Sequence, residues 1–415
     1  VSWLNAADLA DLSRSRRAVV TYIRLIIGPW EIPTVVKLAI VSETFPPEVN
    51  GVAMTFGVIA RELGRRGHEV RIYRPNRADL PAAETEPFYR QIPLPGISIP
   101  GYRLLRLGWP AWSQLKRAWK EHRPDLVHVV TEGPLGASAV TAARALGIPV
   151  TSSFHTNFHA YAANYGFAAL NRGVLWWLRR VHNRTRKTFA PTDELCESLR
   201  GQGFHGMALL SRGVDTTCFS PAQRSETLRA EWGVQPGDRV VLHVGRMAPE
   251  KNYELLFKTY AAMRAVDPRL KFVLAGDGPI RAALIAAHPD CIFAGFYSRE
   301  EIGRYYASAD IYIHASLTET FGNVLTEAMS SGLAVVSFDY AAGRQFIRPG
   351  QNGLLAPCGD AVALERESVR LVAEDSLRIE LGRKAREGFE NQSWEHVIER
   401  FEADLLSEAG KGRKS

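Results

Sequence analysis

Short apolar, β-branched runs that each end in a polar or glycine-containing loop, followed by apolar residues at helical spacing, recur along most of this chain. The first covers residues 35–41, with a loop at 42–51 and a helical pattern to Leu63. The cycle returns as strands at 69–73, 126–130 and 149–153, with a helix over 137–146. It then starts afresh at 239–244 and runs through 271–275, 291–294, 311–314 and 334–338. Strands too apolar to face water on either side, alternating with helices, predict parallel sheets covered on both faces. Two consecutive sets predict two doubly wound units, drawn at 37–212 and 213–392. A last helix over 394–406, inside a segment 393–408, follows the capping residue Ser393. The basic, glycine-rich tail 410–415 reads as disordered. In open parallel sheets ligands lie at the carboxyl ends of strands where strand order reverses, so two facing units place a site in the cleft between them.

Charge is unevenly spread. Residues 1–212 hold 27 Lys and Arg against 16 Asp and Glu, a net +11, whereas 213–415 hold 24 against 28, a net −4. An anionic partner is expected for the first half, although an overall +7 does not by itself imply nucleic acid, and none is expected. Four cysteines, Cys196, Cys218, Cys291 and Cys358, are too dispersed for a metal knuckle or a disulfide framework, which fits a reducing cytosol. No apolar run approaches the roughly 20 residues of a spanning helix. Residues 1–36 read as an N-terminal extension, amphipathic or simply an overlong start, without the clean apolar core and cleavage site of a signal peptide.

Several chemistries lose ground for want of their motifs: no phosphate loop sits in a strand-to-helix turn, and HExxH, GxSxG and a full GxGxxG are missing. No Asp-x-Asp pair is present to offer a divalent cation to a diphosphate. Arg246 and Lys251, five residues apart around a strand-to-helix turn, can converge on one anion; an ordinary solvated loop is the competing reading. The turn Phe321-Gly322-Asn323 opens a helix through Val324, so free N–H groups and the positive helix end face an anion. Glu319 and Glu327 bracket that turn as acceptors for sugar hydroxyls, or else serve as a cap and a surface residue. Gly51 lets backbone approach a ligand before a helix, and His155 stands at a strand's carboxyl end. His128 and His243, inside strand patterns, read as structural.

Taken in order, Asn50-Gly51-Val52, Ser153-Phe154-His155-Thr156, Arg212-Gly213-Val214-Asp215, Gly245-Arg246 with Lys251-Asn252, Gly276-Asp277-Gly278-Pro279 and Glu319-x7-Glu327 resemble the motifs of retaining GT-B glycosyltransferases of family 4, over nearly the whole of residues 37–406. The resemblance implies two Rossmann-like domains facing across a cleft, acceptor bound by the first and nucleotide sugar by the second, with the last helix crossing back to the first. It implies a metal-independent, retaining transfer with no cofactor. Carried over, His155, Glu319, Arg246 and Lys251 are the catalytic set. Gly51, Gly278, Phe321, Gly322, Asn323, Val324 and Glu327 join Arg246, Lys251 and Glu319 around the donor, and residues 278–281 and 295–297 flank the base. Many members have two glycines where this chain has Asn50-Gly51, so the loop's contact there is an open question.

The stretch 158–166, with Tyr161 and Tyr165 as acceptor contacts, resembles bacterial lipid glycosyltransferases, including sulfoquinovosyl-diacylglycerol synthases. Arginines interleaved with Trp176 and Trp177, and Tyr102, Arg103, Arg106, Trp109, Trp112, Lys116, Trp119 and Lys120 before them, supply an apolar wedge and charge for an anionic bilayer; core packing with a solvated basic face is the alternative. The reading is a peripheral enzyme on the inner face of the cytoplasmic membrane, moving a sugar from a UDP- or GDP-sugar to a lipid such as diacylglycerol. Two alternatives stand beside it: a GDP-mannose-dependent α-mannosyltransferase acting on phosphatidylinositol or a saccharide, and a non-catalytic membrane- or sugar-binding module.

Overall fold

The computed structural model describes residues 35–48, 50–76, 87–99, 102–155, 168–295, 297–317, 319, 321–390 and 392–412. Most of the extension 1–36, and Tyr161 and Tyr165, lie outside them.

The first sheet has seven parallel strands in the order β3-β2-β1-β6-β7-β8-β9. They are β1 (Lys37–Val41), β2 (Glu69–Pro75), β3 (Arg90–Leu94), β6 (Leu126–Val129), β7 (Val150–Ser153), β8 (Lys187–Ala190) and β9 (Met207–Leu209). A separate antiparallel hairpin, β4 (Gly96–Ile99) with β5 (Tyr102–Gly108), intervenes. The second sheet has six parallel strands in the order β12-β11-β10-β13-β14-β15. They are β10 (Val240–Val244), β11 (Lys271–Ala275), β12 (Ile292–Gly295), β13 (Ile311–His314), β14 (Ala334–Phe338) and β15 (Leu354–Ala356). Order reverses between β1 and β6 in the first sheet and between β10 and β13 in the second, the crevices where such sheets take ligands. With helices on both faces of each sheet this is the GT-B architecture of two doubly wound α/β sheets. β1, β6, β13 and β14 carry almost wholly buried residues, which is why their sequences read as unbroken apolar runs.

Two sequence expectations fail. The final helix is Trp394–Gly412 and runs into the segment read as a disordered tail as far as Gly412. Its Val397, Ile398, Phe401, Leu405 and Ala409 pack with Leu38, Ile40 and Phe56 of the first sheet's core, and Arg186 donates to the Glu408 carbonyl at 2.9 Å. Each large apolar side chain so buried is worth about 1.5–3 kcal/mol, enough to offset the poor helix propensity of Gly410. The basic-aromatic stretch is also not one amphipathic face: Tyr102, Arg103 and Arg106 belong to β5, and Trp119, in helix Trp112–Glu121, is buried at 0% exposure against Tyr73.

The chain passes between the sheets twice, and the two passes zip together. Val214 bridges Ser393 in parallel and donates to the Gln392 carbonyl at 3.0 Å. A Cβ on Gly213 would lie 2.4 Å from the Trp394 Cα, so only glycine permits this crossing. Nearby, Gln345 reaches Ser211, and Glu194 bonds both Arg344 and the Ala341 N–H, joining the second unit to the first.

Candidate functional site

The loop after β10 and the loop after β13 leave the second sheet on opposite sides of its reversal point and meet over it. A short turn, Pro249–Lys251, ends the first loop; Asn252 follows in a left-handed conformation and its Nδ2 donates to the Ala315 carbonyl at 3.3 Å, tying that loop to the end of β13. Lys251 Nζ thereby donates to Glu319 Oε1, with His314 Nε2 at 3.8 Å from the same oxygen. Burial alone would raise the Glu319 carboxyl, but His314 and Lys251 outweigh it and hold Glu319 below its ordinary range. Burial pushes the His314 imidazole down, against the pull of Glu319. Tyr340 Oη fixes the loop by donating to the Glu319 carbonyl at 2.7 Å.

Gly322, at φ 99°, starts helix Asn323–Ser330, and the Ala342 N–H donates to the Phe321 carbonyl at 2.9 Å. The Asn323 Oδ1 is buried without a partner, and Val324 is half-buried beside it. Glu327 Oε2 accepts from Tyr306 Oη at 3.1 Å and lines a cavity of about 410 Å3 with Gly245, Arg246, Gly276, Asp277 and Tyr297. Arg246 is exposed and 3.7 Å from Glu250, a contact of little energetic weight that leaves the guanidinium able to swing to a ligand. Gly278 lies against Met247, whose carbonyl oxygen a Cβ there would meet at 2.3 Å; Met247 N–H donates to the Asp277 carbonyl at 2.9 Å and Ile280 N–H to the Met247 carbonyl at 3.2 Å.

In the first unit Gly51 opens helix Gly51–Arg65, and Asn50 caps it, its Oδ1 accepting from Val52 N–H at 3.1 Å and Ala53 N–H at 2.9 Å. Here the residue that replaces a second glycine consumes two first-turn donors and leaves the Gly51 N–H outside the cap. His155 follows β7, is 7% exposed, packs edge-on to Phe56 at 5.3 Å, and neither ring nitrogen has a hydrogen-bond partner among the described residues. Burial first, then the charge of Arg212, push its imidazole well below the ordinary range. His128, bonded to Thr151 and Ser153 at 2.9 Å each, and His243, bonded to the Ile313 carbonyl, are core groups as their strand positions suggest.

The structure thus gathers Lys251, Glu319 and His314 in one cluster, and Arg246, Glu327, Gly276 and Asp277 around the cavity. What links them to the first unit is a residue the motifs treat only as linker. Arg212 Nη1 donates to the Gly51 carbonyl at 3.0 Å, and its guanidinium lies over the Phe321 ring at 5.6 Å. Burial pushes it down to about 10, opposed by Glu319.

Glu43, at the end of β1, was also passed over. Its Oε1 accepts from the Leu135 N–H at 3.1 Å and so caps helix Pro134–Ala145 from 92 residues away. Burial raises its carboxyl to about 7 despite that bond, and Glu132 adds to the rise. The folded chain holds this proton up to about pH 7 and the unfolded chain releases it near 4.5, so stability falls as pH climbs between the two. Glu43→Gln, which keeps the cap, is expected to be about 2–3 kcal/mol more stable than the parent at pH 8 and equal to it below pH 4.5 in urea titrations.

Residues 49–218 match the model of Glycosyltransferase Family 4, and residues 224–388 match Glycosyl transferases group 1. The GDP-mannose-dependent alpha-mannosyltransferase of Mycobacterium tuberculosis is 35% identical over 92% of this chain and 98% of its own length. The alpha-monoglucosyldiacylglycerol synthase of Streptococcus pneumoniae is 26% identical over 72% of this chain and 70% of its own. Anabaena HepE, solved with UDP, superimposes with a TM-score of 0.72 at 19% identity, covering 89% of this chain and all of that one. The chain belongs to glycosyltransferase family 4: it is a retaining GT-B glycosyltransferase that draws on a nucleotide-sugar donor. Among the described residues no helix is long and apolar enough to cross a membrane.

Proposed function

We propose that this chain is an α-mannosyltransferase that uses GDP-mannose. The end-to-end likeness to the M. tuberculosis enzyme of that description carries the reading. The base and ribose enter the cavity beside Glu327, Glu327 accepting from ribose hydroxyls, and the diphosphate lies between Arg246, Lys251 and the N–H groups at Gly322–Val324. The acceptor hydroxyl attacks the anomeric carbon on the face from which GDP departs. The C–O bond to phosphate breaks as the new glycosidic bond forms, and the leaving phosphate oxygen takes the acceptor's proton. Negative charge then grows on GDP, where two cations and a helix N-terminus stabilise it without reorganising. Glu319 orients Lys251 and accepts from the sugar, and neutral His155 faces the sugar near the reacting carbon.

A lipid acceptor fits the surface of the first unit. Trp109, Trp112, Trp176 and Trp177 are all at least 40% exposed, with Lys116 over the Trp112 ring at 4.8 Å and Arg180 over Trp176 at 5.6 Å. Exposed indoles beside cations suit the interface of an anionic bilayer.

GDP is expected to protect the chain against thermal unfolding by about 2.7 kcal/mol at a hundredfold excess over Kd, with UDP at the same concentration protecting far less. Mannose mass added to lipid in anionic vesicles, with GDP released, completes the reading. Protection by UDP alone, with turnover of UDP-sugars only, overturns the mannosyl assignment.

A further inference from the structure

Arg212 is 6% exposed, and no carboxylate among the described residues lies within ion-pair distance of it. A buried guanidinium in that condition keeps an unrecovered desolvation cost unless something compensates. Its bonds are few. Nη1 donates to the Gly51 carbonyl at 3.0 Å, the flat face rests over Phe321, and the buried Nε has no partner; Nη2 makes no hydrogen bond among the described residues. Nε and Nη2 form the edge of a guanidinium that forks onto two oxygens of one anion. That unspent edge sits on the crossover between the sheets, between the start of helix Gly51–Arg65 and the Phe321–Gly322 turn that opens helix Asn323–Ser330. Both helix starts are positive ends, so the three features together present an anion site contributed by both units.

We propose that Arg212 is a third cation of the donor site, its free Nε–Nη2 edge taking two oxygens of the distal phosphate of the donor diphosphate. The inference rests on the placement of the diphosphate proposed above. The arriving phosphate supplies a countercharge in direct contact, where Glu319 acts only at longer range. Because Nη1 stays on the Gly51 carbonyl, the contact also fixes the first unit's helix start against the donor, so that phosphate engagement and cleft geometry become one event. Arg246 is exposed and Lys251 is already paired with Glu319, whereas Arg212 is held in place before any ligand arrives.

Binding of GDP and GMP separates this role from a merely structural one, since GMP lacks the distal phosphate. In Arg212→Gln the GDP Kd is expected to rise at least about tenfold while the GMP Kd stays as in the parent, the scale of one charge-assisted contact. Arg212→Lys, which keeps charge and length but not the fork, is expected to weaken GDP by a few-fold and GMP not at all. UDP and UMP measured in parallel give the same comparison if the donor base is uracil. Equal weakening of both nucleotides in either folded variant, or an unchanged GDP Kd, overturns the proposal; should Arg212→Gln not fold, Arg212→Lys decides it. Lys251→Ala tests the shared placement: if it leaves GDP binding and turnover intact, the diphosphate site itself is wrong, whereas loss there with normal GDP binding in Arg212→Gln sinks Arg212 alone.

Discussion

Lys251→Ala is expected to lower kcat by about 10²–10³, the effect of removing one preorganised contact to developing oxyanion charge. The side chain ends at Glu319 and is only 20% exposed, so water replaces it poorly. Removal has a second consequence. Glu319 stays at ionic charge because His314 and Lys251 together outweigh its burial; without Lys251 its carboxyl rises toward protonation. A protonated Glu319 donates where the ionised form accepts, so contact with a sugar hydroxyl changes sense as well as strength. Glu319→Gln isolates this part. If Glu319 serves only to aim Lys251, the double variant is no slower than Lys251→Ala, whereas independent contact with the sugar makes the losses add. Turnover measured at saturating donor, with melting curves to confirm folding, reads both. Near-parental kcat for Lys251→Ala removes that residue from the mechanism.

How much of this could be seen in the sequence differs between fold and site, for a physical reason. Strands at 271–275, 311–314 and 334–338 coincide with β11, β13 and β14, because a strand buried on both faces has no polar positions to blur its ends. Helix Pro134–Ala145 starts three residues earlier than its apolar pattern suggests: its cap comes from Glu43, and an acceptor so far along the chain leaves no local mark. The β4–β5 hairpin was invisible as such, since arginines alternate irregularly with leucines in β5 and its strands pair only with each other. Arg246, Lys251, Glu319 and Glu327 were legible because they flank one reversal point on one sheet, in loops with recognisable turns. Arg212 was not, because its neighbours are Gly51, 161 residues earlier, and Phe321 in the other unit. Linker motifs advertise a turn, and only the crossing of the chain shows what the turn places in the cleft.

The glycines that line the cavity provide the sharpest structural test. At Gly276, φ is 140°, and a Cβ would stand 2.0 Å from the Gly245 carbonyl oxygen, an atom held by backbone on the strand-end loop that carries Arg246. Alanine there can be accommodated only by moving one strand end away from the other. Gly276→Ala is therefore expected to cost about 3 kcal/mol or more in stability, the sum of a strained backbone and a displaced partner. The displaced segment includes Gly245 and Arg246, which line the cavity with Gly276, so GDP binding should fall with it. Gly295 is the matched control. It too lines the cavity and has a positive φ, 86°, yet a Cβ built on it meets nothing within 4 Å. Gly295→Ala should then cost only the left-handed backbone penalty of about 1–2 kcal/mol in stability and leave the Gly245–Arg246 segment where it is. Two variants with equal effects on stability would mean that backbone conformation, and not the close approach of the β10 and β11 strand ends, sets the requirement for glycine there. A large difference in stability would place the requirement for glycine at position 276 in the carbonyl of Gly245, and through it in the position of Arg246.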